Sequence, residues 1–174
     1  WIDGVERVRS SRAATAAAAL VLAIVYVLIG RLTFAVSVEH SNVTSVVFAP
    51  EGVALAFAIL VGPRVAWGVL VGQTVLSVWS GPSVLGGAAI GMVNTFECAL
   101  GAVLFTRMGI SARFSRPRDV ALFVALVFLI LQPISATGGV TVLWGLGAAP
   151  TDWLPDSWQH FWIHGMQRPI ADAS

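Results

Sequence analysis

The sequence contains apolar runs that are long enough to cross a lipid bilayer. The first extends from Ala13 to Val38 with Arg31 as its one charge, and a spanning helix needs about 20 apolar residues. Only 11% of all residues are charged and 57% are hydrophobic, whereas soluble domains carry about 25% charged residues. The runs predict an all-α fold, a polytopic transmembrane helical bundle of about five to six spans with one or two broken helices.

Arginine residues mark one side of this bundle. Eight of the ten basic residues lie in the N-terminal lead and in the loops predicted on one side, namely Arg7, Arg9, Arg12, Arg64, Arg107, Arg113, Arg116 and Arg118. Because basic residues concentrate on the cytoplasmic side, residues 1–12 are predicted to be a cytoplasmic lead and residues 13–174 the transmembrane domain. We expect the C-terminal part of that domain to be incomplete, since polar residues from Gln167 to Asp172 interrupt its last apolar face.

The placement of the arginines, the cysteine count and the motifs exclude several classes of function. The arginines form short clusters between apolar runs rather than one basic face, so a nucleic-acid surface is not predicted. A single cysteine, Cys98, allows neither a disulfide nor a cysteine metal site within one chain. No nucleophile with a base and no phosphate-binding loop is recognisable, so we do not predict an enzyme.

The second apolar run carries Pro50, Glu51 and Gly52 in succession. One interpretation places a helix break at Pro50 and Gly52, with Glu51 turned toward the bundle interior. The other makes Pro50 the first-turn proline of a helix that begins near the membrane interface, where water reaches Glu51. Both interpretations remain open from the sequence.

Further breaks and close helix contacts are predicted from proline and glycine. The run from Asp119 to Gly147 is longer than one span needs, and we expect a break at Pro133, Gly138 and Gly139. Glycines four residues apart allow neighbouring helices to approach closely. Two such pairs are present, Gly68 with Gly72 and Gly87 with Gly91.

A few polar side chains at membrane depth are the candidate binding or proton-sensing residues. The second and fourth predicted spans run from Thr44 to Gly62 and from Val84 to Thr106. If they are neighbours, one pocket could contain Glu51, Gln73, Asn94, Glu97 and Gln132. Arg31 is a candidate partner of Glu51, although an arginine near a helix end also reaches the headgroups. The alternative is that Asn94, Thr95 and Glu97 only link neighbouring helices.

His160 and His164 are spaced to share one helix face, which suits a metal or a tetrapyrrole iron. Neither an acidic nor a cysteine third ligand accompanies them, and such pairs usually serve ordinary packing. We therefore predict no metal and no cofactor, with this pair as the one candidate for heme or pigment.

Four blocks of the sequence resemble one known family. Residues 48–56 read Phe-Ala-Pro-Glu-Gly-Val-Ala-Leu-Ala, followed by Leu-Val-Gly-Pro-Arg at 60–64 and Trp-Gly at 67–68. Residues 94–102 read Asn-Thr-Phe-Glu-Cys-Ala-Leu-Gly-Ala, and the blocks at 118–120 and 134–140 follow in order. From Val46 to Val142 the chain resembles the first type of bacterial membrane-associated sensor domain, the MASE family.

The resemblance implies a sensory module of the bacterial inner membrane. Such a module would pass a signal to a cytoplasmic output domain, either a histidine kinase or a cyclic di-GMP synthase or phosphodiesterase. The family usually has a small or apolar residue where Glu51 stands, so a proton or cation role there would be special to this chain. The family's closing block has an aspartate that the segment from Trp162 to Met166 lacks.

Two hypotheses from different classes therefore stand beside each other. The first is a sensory or docking module, and the second is a structural subunit of a larger respiratory or photosynthetic membrane complex. Expected partners are the lipid bilayer, a second copy or a larger membrane assembly, and a small-molecule ligand of unspecified identity. Transport is the weakest alternative, because no inverted repeat is visible.

Overall fold

The computed structural model describes residues 11–39, 49–80 and 84–147. Within these ranges every regular element is helical: α1 (Arg12–Glu39), α2 (Ala49–Val61), α3 (Trp67–Ser80), α4 (Val84–Arg107), α5 (Pro117–Leu126) and α6 (Gln132–Gly145). A 3₁₀ turn at Pro63–Ala66 precedes α3, and a π turn at Val127–Leu131 joins α5 to α6 as one continuous helix. The predicted all-α class is confirmed.

Three helical segments are long and apolar enough to cross a membrane, Arg12–Thr33, Val84–Arg107 and Pro117–Val142. Helix α2 has 13 residues and α3 has 14, and at 1.5 Å per residue each is about 20 Å long. The second predicted span, Thr44 to Gly62, is described only from Ala49 onward. The final predicted span and the histidine pair lie outside the described residues.

Helix α4 is the centre of the bundle. Its spanning segment is 39% buried within the protein, compared with 22% for α1 and 17% for the α5–α6 segment. It packs against α3, α2 and α6, while α1 packs against α3 and α2. Large apolar side chains such as Leu28, Leu85 and Leu129 are 64 to 74% exposed, as expected where lipid covers the surface.

The four glycines singled out in the sequence lie where helices touch. On α3, a Cβ at Gly68 would overlap the carbonyl oxygen of Ala19, and one at Gly72 would lie 3.0 Å from Tyr26 Cβ. On α4, a Cβ at Gly87 would lie 2.6 Å from Ser77 Cβ, and one at Gly91 3.1 Å from Leu70 Cδ1. The absence of a side chain thus allows α3 to approach both α1 and α4 closely.

The predicted helix breaks are only partly present. Helix α2 is continuous through Gly52 and α6 is continuous through Gly138 and Gly139, so breaks at these glycines were wrong. One glycine weakens a helix by about 1 kcal/mol, which packing readily offsets, and Gly138 is in contact with Val93. The irregularity lies instead in the π turn just before Pro133, whose missing amide hydrogen cannot continue the α-helical bonding.

Pro50 and Glu51 belong to the first turn of α2 as described, with Pro50 buried and Glu51 half-buried. This placement agrees with a first-turn proline. The contact of Leu55 with Gly101 places Glu51 level with Glu97, near the middle of α4.

Candidate functional site

Four polar side chains from three helices form a continuous chain of hydrogen bonds in the apolar core. Asn94 Nδ2 on α4 donates to the Tyr26 hydroxyl on α1 at 3.4 Å, and that hydroxyl donates to Gln73 Oε1 on α3 at 2.9 Å. Gln73 Nε2 then donates to Ser77 Oγ at 3.1 Å. We call Tyr26, Gln73, Ser77 and Asn94 the tyrosine network. All four side chains are buried, and Tyr26 has no exposed surface.

Two carboxyl groups lie beside the tyrosine network, where α2 packs against α4. Leu55 on α2 is in contact with Gly101 on α4, and Glu51 and Glu97 lie four residues before these two in their respective helices. Residues four apart share one helix face, so the two carboxyl groups occupy adjacent positions along the α2–α4 contact. They interact electrostatically. We call Glu51 and Glu97 the acid pair.

The acid pair has fewer hydrogen bonds than its burial requires. Glu97 is 8% exposed, and Ser135 on α6 lies beside it. Its Oε2 atom has no hydrogen-bond partner among the described residues. A buried polar atom without a partner costs about 1–3 kcal/mol, so this oxygen is an available acceptor inside the bundle.

Tyr26 connects the two groups. Its phenol lies near Glu51, Glu97 and the buried Cys98. The tyrosine network and the acid pair therefore lie at one depth of the bundle. The arrangement can bind a proton, a small cation or a ligand with hydrogen-bond donors, because it presents carboxyl oxygens in an apolar surrounding.

The structure brings together four of the six predicted binding candidates, Glu51, Gln73, Asn94 and Glu97. Gln132 is half-buried at the start of α6, and within the described ranges no hydrogen bond joins it to the tyrosine network or the acid pair. Arg31 is exposed, and its guanidinium lies 4.4 Å from the ring centre of Trp79. No ion pair joins Arg31 to Glu51 in the described residues.

Three residues of the site were missed from the sequence: Tyr26, Ser77 and Ser135. Tyr26 is the chain's one tyrosine and lies in the middle of an apolar run, and a phenol hydroxyl in hydrocarbon needs a partner. That signal was available. The two serines carried no such signal, because a serine in a membrane helix usually bonds to its own backbone.

Thr95 illustrates that local bonding. Its hydroxyl donates to the carbonyl of Gly91 in the same helix at 2.6 Å, so it does not link helices as the sequence had suggested. Asn94 does link helices, through Tyr26. Among the described residues, no group of three or more histidine, cysteine, aspartate or glutamate side chains could hold a metal ion.

The model of the MASE1 family matches residues 15–166, which include every residue of the tyrosine network and the acid pair. No curated protein and no solved structure matches the chain. The matched region contains the four sequence blocks noted above, and it covers most of the 174 residues. The chain therefore belongs to the MASE1 family of membrane-associated sensor domains.

Proposed function

We propose that this domain senses a proton, a small cation or a small polar ligand through the acid pair and relays the result to a cytoplasmic output domain. The output domain would be a histidine kinase or an enzyme that makes or degrades cyclic di-GMP. The domain would lie in the bacterial inner membrane as a multi-pass bundle with a cytoplasmic N-terminus. A homodimer would let a helix shift in the bundle change the distance between two output domains.

One observation carries the proposal: Glu97 is buried near a second carboxyl group, and its Oε2 atom has no hydrogen-bond partner in the described residues. Two negative charges repel each other strongly in a medium of low dielectric constant. A proton or a cation shared between the acid pair removes that repulsion. Occupancy of the pair thus changes how closely α2 can pack against α4.

Membership in MASE1 supports a sensory role over an enzymatic one. The geometry also suggests which helices respond. Glu97 contacts α6 through Ser135, and Glu51 lies on α2, so a change at the acid pair acts on both neighbours of α4. A helix shift can be biased only by a ligand that binds the two packings with different affinity.

The experiment is Glu97→Gln in the full-length protein, with output activity measured in cells or in membranes. The amide has the size of the acid but cannot become charged, so it holds the pair in one state. We expect output to change by about fivefold or more, the usual lower range of allosteric coupling, while the amount of protein in the membrane is unchanged. Glu51→Gln should shift output in the same direction, and the double variant should add little.

Thr95→Val is the matched control. It removes a hydroxyl two residues before Glu97 in α4, where the group bonds only to its own helix, and output should remain at the wild-type level. Wild-type output from Glu97→Gln would contradict the proposal. So would equal effects of Glu97→Gln and Thr95→Val. A purified protein found in fixed stoichiometry with unrelated subunits would favour the structural-subunit hypothesis instead.

A further inference from the structure

A groove of about 780 Å³ runs between α1 and α3 at the end of the bundle that carries the arginines. Small residues form its floor, where Gly68 meets Ala19 and lets the two helices touch. Arg12 and Arg64 line the groove together with Trp67. The volume lies within the range of about 300–1,000 Å³ that is usual for small-molecule sites. The groove is separate from both the tyrosine network and the acid pair.

The polarity of the groove changes along its length. Arg12 begins the spanning segment of α1, and Arg64 lies in the turn before α3. Trp67 is 65% exposed beside them, and tryptophan is typical of the headgroup level. Deeper in the membrane the lining is apolar, with Leu20 and Val71. A charged end at headgroup depth and an apolar end in the hydrocarbon fit an amphiphile.

The two arginines have no acidic partner among the described residues. Glu39 lies at the opposite end of α1, and Glu51 and Glu97 form the acid pair. Asp119 is buried, with an Oδ2 atom that makes no hydrogen bond within the described ranges. The groove therefore presents two positive charges at its mouth, and a ligand of complementary charge is an anion.

We propose that this groove binds an anionic phospholipid, with the phosphate headgroup at Arg12 and Arg64 and an acyl chain along Leu20 and Val71. Guanidinium groups bind phosphate oxygens in a bidentate manner, and basic pockets between membrane helices are typical sites for anionic headgroups. A zwitterionic headgroup fits less well, because its ammonium group would lie near the two arginines. The site thus selects lipids by headgroup charge.

The test uses the full-length protein, delipidated in detergent and titrated with phosphatidylglycerol or phosphatidylcholine, with bound lipid counted by native mass spectrometry. The wild type should retain phosphatidylglycerol in preference to phosphatidylcholine. The double variant Arg12→Gln with Arg64→Gln should bind phosphatidylglycerol about 30-fold more weakly, as expected for two basic residues near a membrane surface. Ala16→Trp, which fills the groove from an exposed position of α1, should reduce binding without removing charge.

Arg113→Gln with Arg116→Gln is the matched control, because both arginines are exposed in the loop after α4 and do not line the groove. This variant should bind phosphatidylglycerol like the wild type. Equal losses in the two double variants would overturn the proposal, since net charge alone would then explain binding. Equal retention of the two lipids would also overturn the proposal. So would displacement of bound phosphatidylglycerol by millimolar inorganic phosphate, or a cross-link at position 16 that joins two copies of the chain.

Discussion

The contacts of α4 toward α1 and α3, its closed side, and toward α2 and α6, its open side, differ in how completely their polar groups are bonded. Toward α1 and α3, the tyrosine network joins Asn94 to Ser77 through three successive hydrogen bonds, and glycines bring the helices into direct contact. Toward α2 and α6, Glu97 lies beside Ser135 and has one oxygen without a partner among the described residues. The same helix therefore carries a closed contact and an open one.

This difference distinguishes a contact that stabilises the bundle from a contact that can respond to a ligand. A hydrogen-bond network in an apolar medium stabilises one packing, because every group that leaves it loses a partner that lipid cannot replace. An unbonded carboxyl oxygen near a second acid does not fix one packing in this way. A proton or a ligand that binds there supplies the partner that the oxygen lacks. Substitutions on the closed side should change stability, and substitutions on the open side should change output.

The largest effect is expected at the closest helix contact of the closed side. Gly68→Ala places a methyl group against the carbonyl oxygen of Ala19, so α3 must move away from α1. We expect the free energy of unfolding to fall by about 1–3 kcal/mol, as overpacking usually costs. The measurement is denaturation by sodium dodecyl sulfate in mixed micelles, followed by circular dichroism.

Gly52→Ala provides the matched comparison, because a Cβ there meets no atom within 4 Å. The same chemical change should leave stability unaltered or raise it by up to about 1 kcal/mol, the difference in helix propensity between the two residues. If Gly68→Ala is as well tolerated as Gly52→Ala, the close α1–α3 contact does not exist.

The next effect tests whether the tyrosine network is structural. Tyr26→Phe removes the hydroxyl that bonds both Gln73 and Asn94. The free energy of unfolding should fall by about 1–2 kcal/mol, more than the average of about 0.6 kcal/mol for one interhelical bond in membranes, because two side chains lose a partner. Unaltered stability combined with altered output would reverse the roles of the two sides of α4.

The smallest effect is expected at Arg31, which belongs to neither the tyrosine network nor the acid pair. Arg31→Gln removes a cation–π contact with Trp79, which is worth about 0.5–1 kcal/mol at an exposed site. Trp79→Leu should cost a similar amount, and the double variant little more, when unfolding is measured as above. Output should be unaffected. If Arg31→Gln instead matched Glu51→Gln in its effect on output, Arg31 would be a partner of Glu51.

Much of the helical framework followed from local sequence. The fourth predicted span, Val84 to Thr106, differs by one residue from α4, because a long apolar run between a turn and an arginine has one favourable arrangement in a membrane. The glycine pairs also lie at helix contacts. Breaks at Gly52, Gly138 and Gly139 were wrong, since glycine propensity is weak compared with packing.

The site was only partly predictable. Glu51, Gln73, Asn94 and Glu97 stand out because polar groups are costly in hydrocarbon, and a bundle must bring such groups together. The sequence does not specify which of them bond to each other. Tyr26 joins Asn94 to Gln73 over 68 and 47 positions of the chain, and only the mutual register of α1, α3 and α4 creates those contacts.

The sequence by itself determined that the chain forms apolar helices with a basic end, because hydropathy and charge act on each segment separately. The tertiary structure alone decided that Ser135 lies beside Glu97, that Arg31 lies over Trp79, and that α4 has one closed and one open side. Those features depend on distances between helices, which arise from the packing of glycines and side chains along the whole bundle. No single segment contains that information.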